Sequence, residues 1–251
     1  MKKDIIFMDC DGTLYDNKNK KVHKETVEAL NILKEKYELG LATGRGLNAL
    51  REVKKLLPYF DFKVLLNGNY VLYKDQVLYE NYLYNEDIIK LKDYCETNDI
   101  ALGYVSSNDY RITKINNKVI EAFDHFNERF PDIDKNYYLN NKIYQIWLFK
   151  YIDEDINLFP NLKFMKWQKE GYDVVNKDSD KSIGIKAIKN QFNFNKVITF
   201  GDGQNDIQML QESDISIAMG NSNDNVKGIA TYTTDTVENN GIYEFVKKNI
   251  L

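Results

Sequence analysis

The chain has little that would staple, stiffen or anchor it: three prolines, two cysteines and two histidines occur in 251 residues. Two cysteines exclude a disulfide framework, though not a single bridge. Cys10 and Cys95 read as small apolar packing residues, Cys95 on a helix face with Ile88, Leu91 and Tyr94. His23 and His125 lack metal-ligand spacing and read as surface or packing residues. Positive charge is never concentrated: the formal net charge is -4 and no basic block occurs, which disfavours nucleic acid as a partner. Long hydrophobic runs are missing as well, so no segment reaches membrane-spanning length. The apolar run that follows Lys2 and Lys3 is too short for a signal peptide and is broken by Asp9. A cytoplasmic protein with no membrane partner is expected, and no internal repeat or low-complexity linker is seen.

What the chain does have is acids at the ends of apolar strands. Ile5-Ile6-Phe7-Met8 reads as a buried strand of a parallel sheet, and Asp9-Cys10-Asp11-Gly12-Thr13-Leu14 follows at once. Open sheets of this kind bind ligands beyond the carboxyl ends of their strands. Two carboxylates so close repel, and a hard divalent cation such as Mg2+ offsets that repulsion while keeping positions open for water and phosphate. The bland alternative is an Asp-Gly turn that merely ends the strand. Downstream the design recurs: Val197-Ile198-Thr199-Phe200 leads into Gly201-Asp202-Gly203-Gln204-Asn205-Asp206, with a helix expected over 204–210. The flanking glycines point to close backbone approach.

Two more polar strand exits lie between these ends. Leu39-Gly40-Leu41-Ala42 leads into Thr43-Gly44-Arg45, whose hydroxyl and amides suit phosphate oxygens or, alternatively, a helix cap. Lys181 precedes an amphipathic helix over 182–191. Asn67-Gly68-Asn69, after the third strand, is either a substrate contact or a tight turn.

In this order, Asp9, Asp11, Thr43, Lys181, Asp202 and Asp206 resemble the motifs of the haloacid dehalogenase superfamily. The stretch Ile217-Ala218-Met219-Gly220-Asn221 is similar to that of its Cof-type phosphatases of class IIB. One departure stands out: Ser182 occupies the place of the glycine that usually follows the third-motif lysine, which makes Lys177 a competitor to Lys181. Lys181 is preferred because 172–175 reads as the preceding strand, with Asp178, Ser179 and Asp180 available as caps. The resemblance implies that Asp9 attacks phosphorus and that Asp11 is the general acid and base. It implies Mg2+ held by the Asp9 and Asp202 carboxylates and the Asp11 carbonyl, with Asp206 supporting from behind. Cys10 and Gly44 (through their backbones), Thr43, Lys181 and Asn205 would surround the phosphoryl oxygens, and Asn67 is the candidate substrate contact.

The expected fold is α/β: a Rossmann-like parallel sheet with helices on both faces, formed by 1–80 and 176–251, and an inserted α+β cap domain over 81–175. Helices are expected over 24–36, 46–57, 85–98, 118–130 and 243–248. Strands are expected over 64–66, 102–105, 110–113, 143–149, 162–165 and 215–218. The implied activity is Mg2+-dependent hydrolysis of a small phosphate monoester, sugar phosphates first, with flavin mononucleotide or pyridoxal phosphate as further candidates. The inserted lid would exclude water and select the substrate. A phosphomutase or phosphotransferase differs only in the acceptor, and product analysis separates it. A response-regulator-like module conflicts with the wide spacing from Asp11 to Asp202. A phosphate-ligand sensor would need lost reactive groups, yet every expected group is present.

Overall fold

A computed structural model describes residues 3–126, 130–167 and 170–250, and the side chains at 125 and 126 fall outside that description, so the expectation for His125 does too. In chain order the elements are β1 (Ile5–Met8), α1 (Lys24–Lys36), β2 (Glu38–Ala42), β3 (Phe62–Leu65), β4 (Tyr70–Tyr73), β5 (Gln76–Glu80) and α2 (Asn85–Thr97). They continue with β6 (Leu102–Val105), β7 (Tyr110–Ile112), α3 (Asn117–Phe126), β8 (Gln145–Leu148), β9 (Leu162–Lys166), β10 (Tyr172–Asn176) and α4 (Lys181–Gln191). The last are β11 (Val197–Gly201), α5 (Ile207–Gln211), β12 (Ile215–Ala218), α6 (Asp224–Ile229), β13 (Tyr232–Thr233) and α7 (Gly241–Asn249). The chain separates into two compact units, one with residues through Arg45, Leu50–Glu80 and everything from Asp180 on, the other with Asn81–Ser179 and Gly46–Ala49.

The first unit is built on one eight-stranded sheet, β13-β12-β11-β1-β2-β3-β4-β5. From β13 through β3 all neighbours are parallel, and every side chain of β1 is fully buried, as a strand covered on both faces requires. Ile5 and Phe7 pack with Ile185, Ile188 and Met209, which places α4 and α5 on their face. Side chains alternate along a strand, so Met8 and its partner Phe200 turn the other way, where Phe245 of α7 meets the Phe200 ring edge-on. Each such large apolar side chain contributes about 1.5–3 kcal/mol by leaving water. Phe7 also needs its partner on β2 to be glycine: a Cβ on Gly40 would lie 2.3 Å from the ring.

Helix α1 spans the expected residues because Thr26, Ala29, Leu30 and Leu33 recur at helical spacing on its buried side. Glu25 in its first turn, and Lys34 and Lys36 in its last, suit the helix dipole. Two expectations are corrected. The helix over 46–57 is replaced by 3-10 turns at Leu47–Ala49 and Lys54–Tyr59. Pro58 explains part of this: it lacks an N–H and so cannot make the bond back to Lys54 O that an α-helix needs. Strand 64–66 becomes β3, which ends at Leu65 because Leu66 and Asn67 adopt positive φ of 51° and 54°. The chain then returns in the antiparallel pair β4 and β5, unforeseen from sequence, so the sheet is parallel only in its larger part.

The second unit holds the antiparallel sheet β7-β6-β8-β10-β9. One face carries Leu102, Tyr104, Ile146, Leu148, Tyr172 and Val174 packed with Ile88, Leu91 and Cys95 of α2. Strand 143–149 is shorter than expected, and of the helix expected over 118–130 the part at 127–129 lies outside the described residues. Among the described residues no helix is long and apolar enough to cross a membrane.

Candidate active site

Strand register brings the polar exits together. Met8 pairs with Leu41 on one side and Phe200 on the other, so β1, β2 and β11 end level. Asp9 follows β1, Thr43 follows β2 and Asp202 follows β11; Asp9 N donates to Phe200 O at 3.0 Å and Thr43 N to Val64 O at 2.8 Å. All three leave the sheet at its carboxyl edge, the general ligand edge of such folds.

Lys181 stands at the first position of α4, whose cap is Asp180, its carboxylate accepting from Ser182 N at 2.8 Å. The lysine is fully buried, and its ammonium donates to Asp9 Oδ1 at 2.5 Å and Asp206 Oδ1 at 2.6 Å. Burial works to lower its pKa, but Asp206 and Asp9 outweigh burial and hold the ammonium above its ordinary range. Lys177, by contrast, is an exposed residue of the second unit. The Ser182 hydroxyl, at the usual glycine position, is buried without a hydrogen-bond partner among the described residues.

Asp206 is fully spoken for. Besides Lys181 on one oxygen, its Oδ2 accepts from Asp202 N at 3.0 Å and Gly203 N at 2.9 Å. Asp9, Asp202 and Asp206 offer oxygens that all lie within 4.8 Å of one another. Burial first, then Asp206, pushes the Asp9 carboxyl well above the usual carboxylate range. The same causes in the same order push Asp202 up to about 7. Asp11 points elsewhere: Arg45 Nε and Nη2 donate to its two oxygens at 2.8 and 2.7 Å, and Arg45 Nη1 reaches Glu52 at 3.0 Å. Four carboxylates thus face two protein cations, one of them shared with Glu52. The donor set is oxygen only and short of positive charge, the chemistry that a hard divalent ion fits.

The remaining expected residues gather at the same edge. Thr43 is buried, and its Oγ1 accepts from Arg45 N at 3.1 Å. Gly44 passes Asn67 so closely that a Cβ would lie 3.1 Å from its amide. Asn205 Nδ2 donates to Asn67 Oδ1 at 3.2 Å, which ties the candidate substrate contact to the fourth motif. Cys10 is buried, its thiol pushed well up first by burial and then by Asp11, and its carbonyl accepts from Leu14 N and Tyr15 N. Sequence reasoning missed two participants. The fork from Arg45 to Asp11 joins residues that the motif places apart, and Asn221 donates to both Gly12 O and Asp202 Oδ2. Both residues stand within quoted motifs, yet nothing in their spacing names these partners.

Comparison with known proteins supplies independent findings. The family model for haloacid dehalogenase-like hydrolases matches residues 6–246. YkrA of Bacillus subtilis, named as a candidate phosphatase, is 27% identical over 254 residues, covering 99% of this chain and 98% of the relative. A crystal structure of a hypothetical protein from Geobacillus kaustophilus superposes with TM-score 0.91 at 31% identity over 98% of each chain. A sugar phosphatase described as subclass IIB of the same superfamily superposes with TM-score 0.88 at 25% identity, again over 98% of each chain.

Proposed function

The chain belongs to the haloacid dehalogenase-like hydrolase family, and on that premise we propose a magnesium-dependent phosphatase that hydrolyses small phosphate monoesters through an aspartyl-phosphate. Phosphoric monoester hydrolysis is the activity common to its phosphatase relatives, and the subclass IIB sugar phosphatase favours sugar phosphates as the substrate class. The observation that carries the reading is the meeting of Asp9, Asp202, Asp206 and Lys181 at one sheet edge.

In this mechanism an Asp9 oxygen attacks phosphorus while the bond to the leaving oxygen breaks. Asp9 Oδ1 is engaged by Lys181, which leaves Oδ2 as the attacking atom. Asp11 gives its proton to the leaving oxygen and then takes one from the water that attacks the phosphoaspartate, returning Asp9 and releasing inorganic phosphate. That proton transfer requires the Arg45 fork on Asp11 to open at least one prong. The Asp9 and Asp202 carboxylates and the Asp11 carbonyl would hold Mg2+, with Asp206 orienting Lys181 and the loop amides. When bound, the ion neutralises charge on the phosphoryl oxygens and on the acids themselves. The Thr43 hydroxyl, the Cys10 and Gly44 backbones, Lys181 and Asn205 orient the phosphoryl group, where alignment and charge neutralisation do most of the work. Asn67 contacts the rest of the substrate, and the inserted unit, as the cap domain of this reading, selects it. A small phosphorylated metabolite in the cytoplasm completes the assignment.

The test is phosphate release from p-nitrophenyl phosphate. Wild type is expected to need Mg2+, and Asp9→Asn to lose at least about a thousandfold in rate while still folding, as circular dichroism would show. Turnover retained by Asp9→Asn would remove the covalent step from the mechanism.

A further inference from the structure

After β12 the chain turns, and the turn presents one side-chain amide to three separate stretches. Asn221 Oδ1 accepts from Val237 N at 3.0 Å. That contact fixes which way the amide faces, since a backbone N–H is met only by the oxygen. Nδ2 therefore points the opposite way, toward two acceptors: Gly12 O at 2.9 Å and Asp202 Oδ2 at 3.1 Å. The other Asp202 oxygen accepts from Thr13 Oγ1 at 3.3 Å.

The backbone around this carboxylate has no slack. Gly12 has φ +75°, and a Cβ there would lie 2.2 Å from Asp202 Oδ2. A Cβ on Gly220, beside Asn221, would lie 2.7 Å from Thr236 N. Among the described residues no lysine or arginine forms an ion pair with Asp202; Lys181 bonds Asp9 and Asp206 instead. Its orientation is therefore set by neutral donors, one on each oxygen. A cation in their place would fix the carboxylate equally well but would cancel the charge that attracts a metal. Neutral donors keep that charge and leave each oxygen a further lone pair.

We propose that Asn221, seconded by Thr13, is a positioning residue that aims the Asp202 carboxylate and so sets the affinity of the site for its divalent cation. The inference rests on the reading of Asp202 as a metal ligand. Oriented ligands bind without first giving up rotational freedom, and loss of such outer contacts typically weakens metal binding about 10–100-fold.

Calorimetric titration of the intact protein with MgCl2 tests this, alongside melting in EDTA and the substrate KM at saturating Mg2+. Asn221→Ala is expected to weaken Mg2+ binding about tenfold or more while that KM stays within twofold of wild type. Thr13→Val, which leaves the contact from Asn221 to Val237 untouched, is expected to weaken it in the same direction by less. An Asn221→Ala protein that melts earlier but binds Mg2+ within twofold of wild type would overturn the inference, because Asn221 would then only fasten its turn. Should Asn221→Ala not fold, unchanged Mg2+ binding in Thr13→Val overturns it equally. Asp202→Ala separates the two levels: wild-type Mg2+ binding there would sink the metal reading itself, and the positioning role with it.

Discussion

At the end of β1 both acids meet a cation of the protein, Asp9 through Lys181 and Asp11 through Arg45. At the end of β11 the wiring differs. Asp206 shares Lys181 and spends its other oxygen on two backbone amides, while among the described residues the Asp202 carboxylate accepts hydrogen bonds from the Thr13 hydroxyl and the Asn221 amide alone. The two exits read alike in sequence, each an apolar strand followed by two acids with glycine next to at least one of them. Compensating charge, however, comes from distant elements and is shared unequally. Asp202 is consequently the acid whose charge the protein leaves for something else to balance, and burial and Asp206 drive it up to about 7.

The sharpest way to break this contrast is to remove the shared cation. Lys181→Ala leaves Asp9 and Asp206 buried and uncompensated, and is expected to cost about 3–5 kcal/mol of stability, read from the urea midpoint. Lys177→Ala, on an exposed residue, is expected to stay within about 0.5 kcal/mol. Equal losses in the two variants would deny Lys181 its place in the site.

A second, smaller effect follows from Asp202 in the metal-free protein. Its folded pKa of about 7 exceeds the ordinary carboxylate value of 3.8, so between those values the folded state binds more protons than the unfolded one. Stability in EDTA should therefore fall as pH rises from about 4 to 7. Mg2+ should oppose that fall, and Asp202→Asn should lessen it, the part due to the likewise raised Asp9 carboxyl remaining, as melting curves across this range would reveal. A metal-free stability that rises over the same interval in wild type but not in Asp202→Asn would reverse the assigned sign.

The smallest effect sharpens the comparison by showing hydrogen-bond donors at work on a carboxylate elsewhere. Burial pulls the Asp16 carboxyl upward, yet Asn19 N, Asn19 Nδ2 and His23, each at 2.8 Å, together bring it down to about 2. This lowered pKa gives stability that is complete above 3.8 and is lost as pH falls through about 2. Asp16→Asn should lower the melting temperature at pH 6 and converge with wild type near pH 2.

Much of this was legible along the chain, because strand exits and helix faces are local patterns. The four apolar residues before Asp9 and the spacing of Thr26, Ala29, Leu30 and Leu33 each declare an element without help from elsewhere. The preference for Lys181 over Lys177, which remains part of the proposal, likewise rests on local order, a strand followed by a capped helix start. What escaped is non-local or lacks its usual signal. The turn between β4 and β5 uses Lys74 and Asp75, with φ of 46° and 66°, in place of the Asn-Gly or Asp-Gly pair that announces a tight hairpin. The helix expected over 46–57 had suitable apolar spacing but met Pro58. The Arg45 fork and the Asn221 amide depend on three-dimensional convergence, and no spacing rule encodes which carboxylate a given donor will find.

The position of β1 in the middle of the sheet has a consequence for the protein's birth. During synthesis from the amino terminus Ile5 can pair early with Glu38, but its partner on the other side, Val197, emerges only after the whole inserted unit has been made. Until then the most apolar strand of the sheet offers an open edge, the kind of surface that invites wrong pairing and the attention of chaperones. The candidate site is thus among the last parts to be assembled, and a ribosome that stalls within the insertion leaves behind a nascent chain that carries Asp9 without the β11 exit it meets in the fold.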